Sequence, residues 1–336
     1  MKIKNSPACL ICGAKESEIF FEKKYPELPG SFKFTMYRCP QCGLYYNYPQ
    51  MTQNELSALY NNGYYFFHRR DQVEFRRIVA LYQRSVALVE NQIQPRKVLE
   101  IGSAKGYLLS VLQRLGWDVQ GIEISHSAAK FSRQKLNVPT YAGTLDEFIT
   151  QHPNEKYPLI LAIDLLEHVI EPASFFKQVN QVIERNGIII IDTPNGNSAN
   201  ITQYGSEWQG FNPFHLFIFS LESLSQLLNQ YGFEIQKVFS HGNLSPTATQ
   251  LMTPQQNIIR KRFKALLYET QLITLAKHLR RQLYEFQDTP NRHQYLRESI
   301  LKIRTGQDYF NSSDSQGHLA KGHQGDNLVI IAQKMK

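Results

Sequence analysis

The chain has 336 residues, of which 42% are hydrophobic and 20% charged, with a formal net charge of +8. That length suits one large domain or two modest ones, and the composition excludes a disordered or fibrous class. No run of 18 apolar residues occurs, and Met1–Lys4 with Asn5-Ser6-Pro7 lacks the apolar stretch of a signal peptide. The expectation is a soluble, cytoplasmic protein without integral membrane contact.

All four cysteines lie in two pairs, Cys9-Leu-Ile-Cys12-Gly13 and Cys39-Pro-Gln-Cys42-Gly43. Two residues between cysteines let one tight turn aim both sulfurs at a point, and two such turns supply the tetrahedral thiolate set that zinc prefers. The glycine after each pair permits a left-handed backbone where the chain leaves the knuckle. Disulfides are disfavoured in a reducing compartment, and a redox pair would occur once beside a βαβ pattern. The four thiolates Cys9, Cys12, Cys39 and Cys42 are therefore expected to hold a structural zinc with no open position for catalysis. Residues 1–50 read as a zinc ribbon, with strands over Phe32–Arg38 and Leu44–Tyr48.

Residues 51–95 read as a helical linker, opened by Thr52 and Glu55 in capping-box spacing and broken at Tyr60–Tyr65. From Lys97 short apolar runs alternate with helix-period segments. They are Val98–Ile101 then Tyr107–Leu115, Val119–Ile124 then Ser127–Leu136, Leu159–Ile163 then Ala173–Glu184, and Ile188–Asp192 then Leu221–Tyr231. This alternation predicts an α/β fold with a parallel sheet covered on both faces. Phe233–Phe239 and Asn327–Ala332 are two further strands, so 96–243 and 325–336 form one domain. Residues 244–324 between them read as a basic helical insertion. Between Ile258 and Arg304 eleven basic residues face four acidic ones, nearly the whole charge excess of the chain. Such a field draws anionic partners; its other reading is a solvated helix surface.

Val98-Leu-Glu-Ile-Gly102-Ser103-Ala-Lys-Gly106-Tyr107 is a buried strand ending in a glycine-bounded turn into a helix, and ligands bind at the carboxyl ends of such strands. The dinucleotide fingerprint would place a second glycine at Ala104, so no pyrophosphate cradle is written and an NAD-dependent oxidoreductase is disfavoured. Glu123 ends the next strand, where a carboxylate can accept both hydroxyl hydrogens of a ribose. Together these features predict a nucleoside ligand without a diphosphate.

With these residues the chain resembles the class I S-adenosylmethionine-dependent methyltransferases, in particular a zinc-bearing branch whose members modify sugars and natural products. The Gly102 turn matches the first motif of that family and Glu123 its ribose acid. Leu161–Pro172 matches the fourth motif, Gly187–Asn195 the strand and turn that follow, and Trp208–Ser220 a further segment. The resemblance implies a Rossmann-like seven-stranded methyltransferase sheet with an N-terminal zinc ribbon and a helical insertion before the last strand. It assigns Gly102, Ser103, Gly106 and Glu123 to S-adenosylmethionine, with Thr144, Leu145, Ala162 and Asp164 walling the adenine and methionine portions. The sequence departs from the family at Ser103-Ala104-Lys105, at Pro158, and at Asn212–His215, which lacks the Asp-Glu of the sugar C-methylating members.

Removing a proton from a hydroxyl acceptor suits histidine. His168 follows the fourth strand and is either that base or a cap of the next helix. His215 lies among Phe211, Phe214, Phe217 and Phe219 and is either a base or a core histidine with a backbone partner. The expected reaction is methyl transfer to a hydroxyl of a small-molecule acceptor, anionic or nucleotide-linked, by a chain compatible with a homodimer. The alternatives are an RNA methyltransferase, disfavoured because the basic residues interleave with Leu and Ile rather than aromatics, and an inactive cofactor-binding module.

Overall fold

The computed structural model describes residues 7–25, 32–52, 55, 85, 88–89, 97–242 and 324–335. The Tyr60–Tyr65 stretch and nearly all of the expected linker and of the 244–324 insertion lie outside these residues.

Seven strands form the central sheet: β4 (Lys97–Ile101), β5 (Asp118–Glu123), β6 (Thr140–Ala142), β7 (Tyr157–Ile163), β8 (Ile183–Pro194), β10 (Phe233–His241) and β11 (Asn327–Lys334). Their order is β6-β5-β4-β7-β8-β11-β10. The five strands β4 to β8 run parallel, while β11 is antiparallel to both neighbours. This is the seven-stranded Rossmann-like sheet expected from the sequence, with the two late strands paired as its last members. Continuous apolar runs such as Ile188–Ile191 suit strands that are covered on both faces.

The helices α1 (Tyr107–Arg114), α2 (His126–Phe131), α3 (Leu145–Gln151), α4 (Pro172–Val182), α5 (Ala199–Tyr204) and α6 (Leu221–Gln230) follow their strands in chain order. One core cluster joins α1 to the sheet through Leu108, Leu112, Val98, Leu159 and Val329. The opposite cluster joins α3, α4 and α6 through Phe148, Phe176, Leu227, Ile160 and Ile330. Helix α1 stops at Gly116, whose φ of +90° lets Trp117 N–H return to the Leu112 carbonyl. Thr52 and Glu55 form the expected reciprocal cap, with Thr52 N–H to Glu55 Oε2 at 2.7 Å and Glu55 N–H to Thr52 Oγ1 at 3.3 Å.

The N-terminal strands β1 (Glu18–Tyr25), β2 (Phe32–Arg38) and β3 (Tyr45–Asn47) make a second, antiparallel sheet. Its fourth strand, β9 (Phe217–Ile218), comes from far along the chain and pairs Tyr45 with Ile218 and Tyr46 with Phe217. Cys9, Cys39, Cys42 and Tyr46 also pack into the α3–α4–α6 face of the core. The ribbon is thus stitched to the body by a strand and by shared apolar burial.

Candidate active site

The loop after β4 bears the first set of site residues. Gly102 and Gly106 have φ of +75° and +73°, and Ala104 between them has φ of +47°, a backbone that L-residues seldom adopt. A Cβ on Gly102 would stand 2.8 Å from Leu165 Cδ1, and one on Gly106 would be 2.2 Å from Ser132 Oγ. Both glycines are therefore required by the protein's own packing as well as by φ. A ligand's approach is not needed to explain them.

Glu123 is buried at the end of β5. Its Oε2 accepts the Ala104 N–H at 2.8 Å and its Oε1 accepts the Ser125 N–H at 2.7 Å. Burial pushes its carboxyl upward against the pull of these two N–H groups. Each carboxylate oxygen retains a further lone pair for a ligand hydroxyl. Glu100, on the adjacent strand β4 opposite Gly121 of β5, is pushed up to about 8 by burial and by the neighbouring Glu123. Glu100 Oε2 and Ser103 Oγ are buried without a hydrogen-bond partner. Unsatisfied buried polar atoms are costly, and two of them at one strand-end loop fit a seat for a polar ligand.

The other expected wall residues are placed less uniformly. Thr144 caps α3 in a capping box with Glu147, and Leu145 is buried in that helix's first turn. Ala162 is fully buried within β7. Asp164, just past β7, has φ of +48°, and its N–H donates to the Asp192 carbonyl at 2.8 Å. Burial and the neighbouring Asp192 push its carboxyl up to about 7, against the pull of His241. Asn327 Nδ2 donates to Asp164 Oδ1 at 3.3 Å and to Asp192 Oδ1 at 3.0 Å, and Asp192 Oδ2 meets His241 Nε2 at 2.8 Å. Asp192, His241 and Asn327 were not singled out as site residues from the sequence. Their only sequence signal is a polar residue at the same end of adjacent strands.

The structure brings His168 and His215 together, with ring centroids 4.9 Å apart. His168 lies in the 3-10 turn Leu166–His168, and its Nδ1 is 2.8 Å from the Phe214 carbonyl. That turn places it on the 210–216 segment; the N-terminus of α4 is at Glu171, without a side-chain cap. His215 Nδ1 is 2.7 Å from the Gly210 carbonyl. Burial lowers His168 to about 4; burial and then His168 lower His215 to about 3. Glu167 lies beside them, with Oε2 accepting the Thr193 hydroxyl at 2.9 Å and Oε1 3.8 Å from His168 Nε2. Burial, reinforced by Asp164, pushes the Glu167 carboxyl well up.

The four cysteines converge as expected, with Cys9 Sγ to Cys42 Sγ at 3.6 Å and Cys12 Sγ to Cys39 Sγ at 3.5 Å. Zinc–thiolate bonds of about 2.3 Å in a tetrahedron put sulfurs about 3.8 Å apart, so the cluster is close to the size of the ion. Each knuckle turns at its glycine, Gly13 at φ +72° and Gly43 at φ +70°, with the glycine N–H donating to the carbonyl of Cys9 or Cys39.

A family model described as a methyltransferase domain matches residues 67–238, half of the chain. The chain belongs to this methyltransferase family. Within the methyltransferase domain, curated relatives include ubiquinone biosynthesis O-methyltransferases. That of Bradyrhizobium diazoefficiens is 33% identical over 106 residues, covering 30% of this chain and 41% of the relative. That of Glaesserella parasuis is 31% identical over 113 residues, covering 31% and 48%. The chain thus spans about half the length of these curated relatives. A solved S-adenosylmethionine-dependent methyltransferase from Archaeoglobus fulgidus aligns with a TM-score of 0.46 at 17% identity, over 81% of this chain and all of the other. No helix among the described residues is long and apolar enough to cross a membrane.

Proposed function

We propose that this chain transfers a methyl group from S-adenosylmethionine to a hydroxyl oxygen of a small-molecule acceptor. The observation that carries the reading is the joined pair of strand-end loops, in which Glu123 binds the Ala104 N–H of the Gly102–Gly106 turn. Glu123 would take the ribose hydroxyls, while Gly102, Ser103 and Gly106 would line the cofactor. Asp164 would stand toward its methionine end, with Thr144 and Leu145 at the start of α3 and Ala162 near the end of β7 as flanking residues. The cofactor supplies an activated methyl on a sulfonium. The protein's task is to hold the acceptor oxygen in line and to exclude water.

The O-methyltransferase names of the curated relatives support oxygen as the acceptor atom. His168 and His215, at the same strand-end face, would border the acceptor. The basic 244–324 segment supports an anionic or nucleotide-linked substrate, since its two flanks leave the sheet at paired residues, His241 opposite Asn327, beside Asp192. We further propose that Cys9, Cys12, Cys39 and Cys42 hold a structural zinc, for which their spacing and knuckle turns fit. Calorimetric titration with S-adenosylmethionine, on wild type and Glu123→Ala, tests the cofactor seat. Equal affinities would remove Glu123 from it, and no binding by wild type would remove the activity.

A further inference from the structure

His241 and Asp192 meet at the carboxyl-terminal edge of the sheet, with His241 Nε2 2.8 Å from Asp192 Oδ2. Neither belongs to the proposed cofactor seat. We propose that His241 is the general base that takes the proton of the acceptor hydroxyl, with Asp192 as the positioning residue that fixes its ring. The assignment rests on the reading above, methyl transfer to a hydroxyl oxygen.

Strand order brings the pair to the end of the sheet where the cofactor seat stands. Strands β10 and β8 are each antiparallel to β11 between them, so they run the same way. His241 is the last residue of β10, and Asp192 lies near the end of β8. Asn327 ties the pair to the proposed cofactor seat, because its Nδ2 donates to Asp192 Oδ1 at 3.0 Å and to Asp164 Oδ1 at 3.3 Å. The His241 backbone is fixed on two sides. Asn327 pairs with it in the ladder, and Gly325 lies so close that a Cβ there would stand 2.6 Å from the His241 carbonyl oxygen.

The Asp192 carboxylate has only lone pairs to offer, so Nε2 carries the N–H and the neutral ring keeps its lone pair on Nδ1. Nδ1 has no hydrogen-bond partner among the described residues. A histidine oriented through one nitrogen by a carboxylate, with the other nitrogen left to take a proton, is the arrangement of the hydrolytic triads. His168 and His215 are worse suited. Each Nδ1 faces a backbone carbonyl; burial lowers His168 to about 4, and burial and then His168 lower His215 to about 3. A proton gained on either ring would be held too weakly for a base working near neutral pH.

The titratable groups around His241 among the described residues are acids. Asp192 touches the ring from β8, and Asp164 stands after β7. Glu167 lies beyond them, bound to Thr193, and Asp326 beside Asn327 is taken up by Ser198, Asn200 and Trp208. Asp192 is thus placed to balance the imidazolium formed in the reaction. In that step the acceptor O–H bond breaks and its proton goes to His241 Nδ1. The freed oxygen pair forms the new O–CH3 bond while the S–CH3 pair stays on sulfur, giving S-adenosylhomocysteine. His241 then releases its proton to water.

The test gives the full chain methyl-labelled S-adenosylmethionine and an ultrafiltered small-molecule extract of the source cells as acceptor pool, and reads labelled product. His241→Gln is expected to lower transfer by about 100- to 10,000-fold, while its cofactor Kd by calorimetry changes by less than about threefold. The acidic limb of the wild-type pH–rate profile should be missing from the residual activity of this variant. Added imidazole should restore part of the rate of His241→Ala, which a merely structural role would not give. Asp192→Asn keeps the size of the side chain and should slow transfer by at least about tenfold and move the acidic limb, a second reading should the His241 variants lose cofactor binding. Transfer by a folded His241→Gln within about tenfold of wild type, or an acidic limb left in place by both His241→Gln and Asp192→Asn, overturns the base alone. Absence of transfer by wild type that binds the cofactor overturns the hydroxyl reading and the base with it.

Discussion

Tyr46, four residues after Cys42, pairs across the second sheet with Phe217, two residues after His215. The connection is reinforced by the Ser220 hydroxyl, which donates to the Cys42 carbonyl and also caps α6 by accepting the Ser223 N–H. Leu216 N–H donates to the Glu167 carbonyl at 2.8 Å, and Asn47 N–H to the Leu216 carbonyl at 2.9 Å. The cysteine cluster therefore holds the strand that delivers His215 to His168. Loss of the zinc proposed for it should be felt at the acceptor side before the cofactor side. Cys39→Ser is expected to cost on the order of several kcal/mol of stability, to raise the acceptor KM, and to change S-adenosylmethionine affinity by less than about threefold. Melting curves and paired binding titrations check this; an equal loss on both sides would break the proposed path.

Removing the Glu123 carboxylate should weaken cofactor binding. Hydrogen bonds to a charged group are worth about 1.5–3 kcal/mol, which is about 10- to 150-fold in Kd. Glu123→Gln, which keeps one oxygen acceptor for the loop, is expected to lose less than Glu123→Ala. Calorimetry on both variants separates the ribose contact from the support that Glu123 gives to the Ala104 and Ser125 N–H groups.

Ala104 carries the left-handed φ of +47° that glycine adopts without strain. Ala104→Gly should thus stabilise the fold by about 1 kcal/mol, a rise in melting temperature on the order of 2 °C for a domain of this size. A fall in Tm would show that the methyl group's contacts outweigh the strain.

The buried Glu100 gives the stability a pH slope. Its carboxyl is raised from an ordinary 4.5 to about 8, by burial first and Glu123 second. Between those values the folded chain holds a proton that the unfolded chain has released, so this contribution to stability falls as the pH rises through the window. Glu100→Gln stays neutral throughout. The Tm difference between variant and wild type should therefore grow in the variant's favour from about pH 5 to about pH 8. Parallel Tm curves would mean that Glu100 does not titrate there.

The sheet was legible because each long strand is an apolar run ending in a distinctive turn, as at Gly102 and Glu123. Strand β6 was missed because three residues carry no period, and β1 because its pattern is interrupted. A register shift between Ile19 and Phe21 allows both Phe20 and Phe21 to contact Phe211, at 5.5 and 5.2 Å between centroids. Alternation fails across such a bulge. The histidines were visible singly, yet nothing local shows that His168 and His215 meet. Their contact depends on the 210–216 segment folding back over the Leu166–His168 turn. The bridge from Asn327 to Asp164 and Asp192 is likewise a product of strand order, since β11 enters the sheet beside β8 rather than after β10.

The pairing of His241 with Asn327 has an evolutionary meaning. The chain departs and returns at neighbouring rungs of one ladder, and Gly325 N–H is tied to Ser240 Oγ at 3.2 Å. Whatever sequence fills positions 243–323 places no demand on strand register. The entropic cost of such an excursion grows only with the logarithm of its length, about 0.6 kcal/mol per doubling. The junction is thus a cassette port at one end of the sheet, beside Asp192. A lineage could exchange the inserted stretch, and with it the choice of acceptor, while inheriting the cofactor machinery intact.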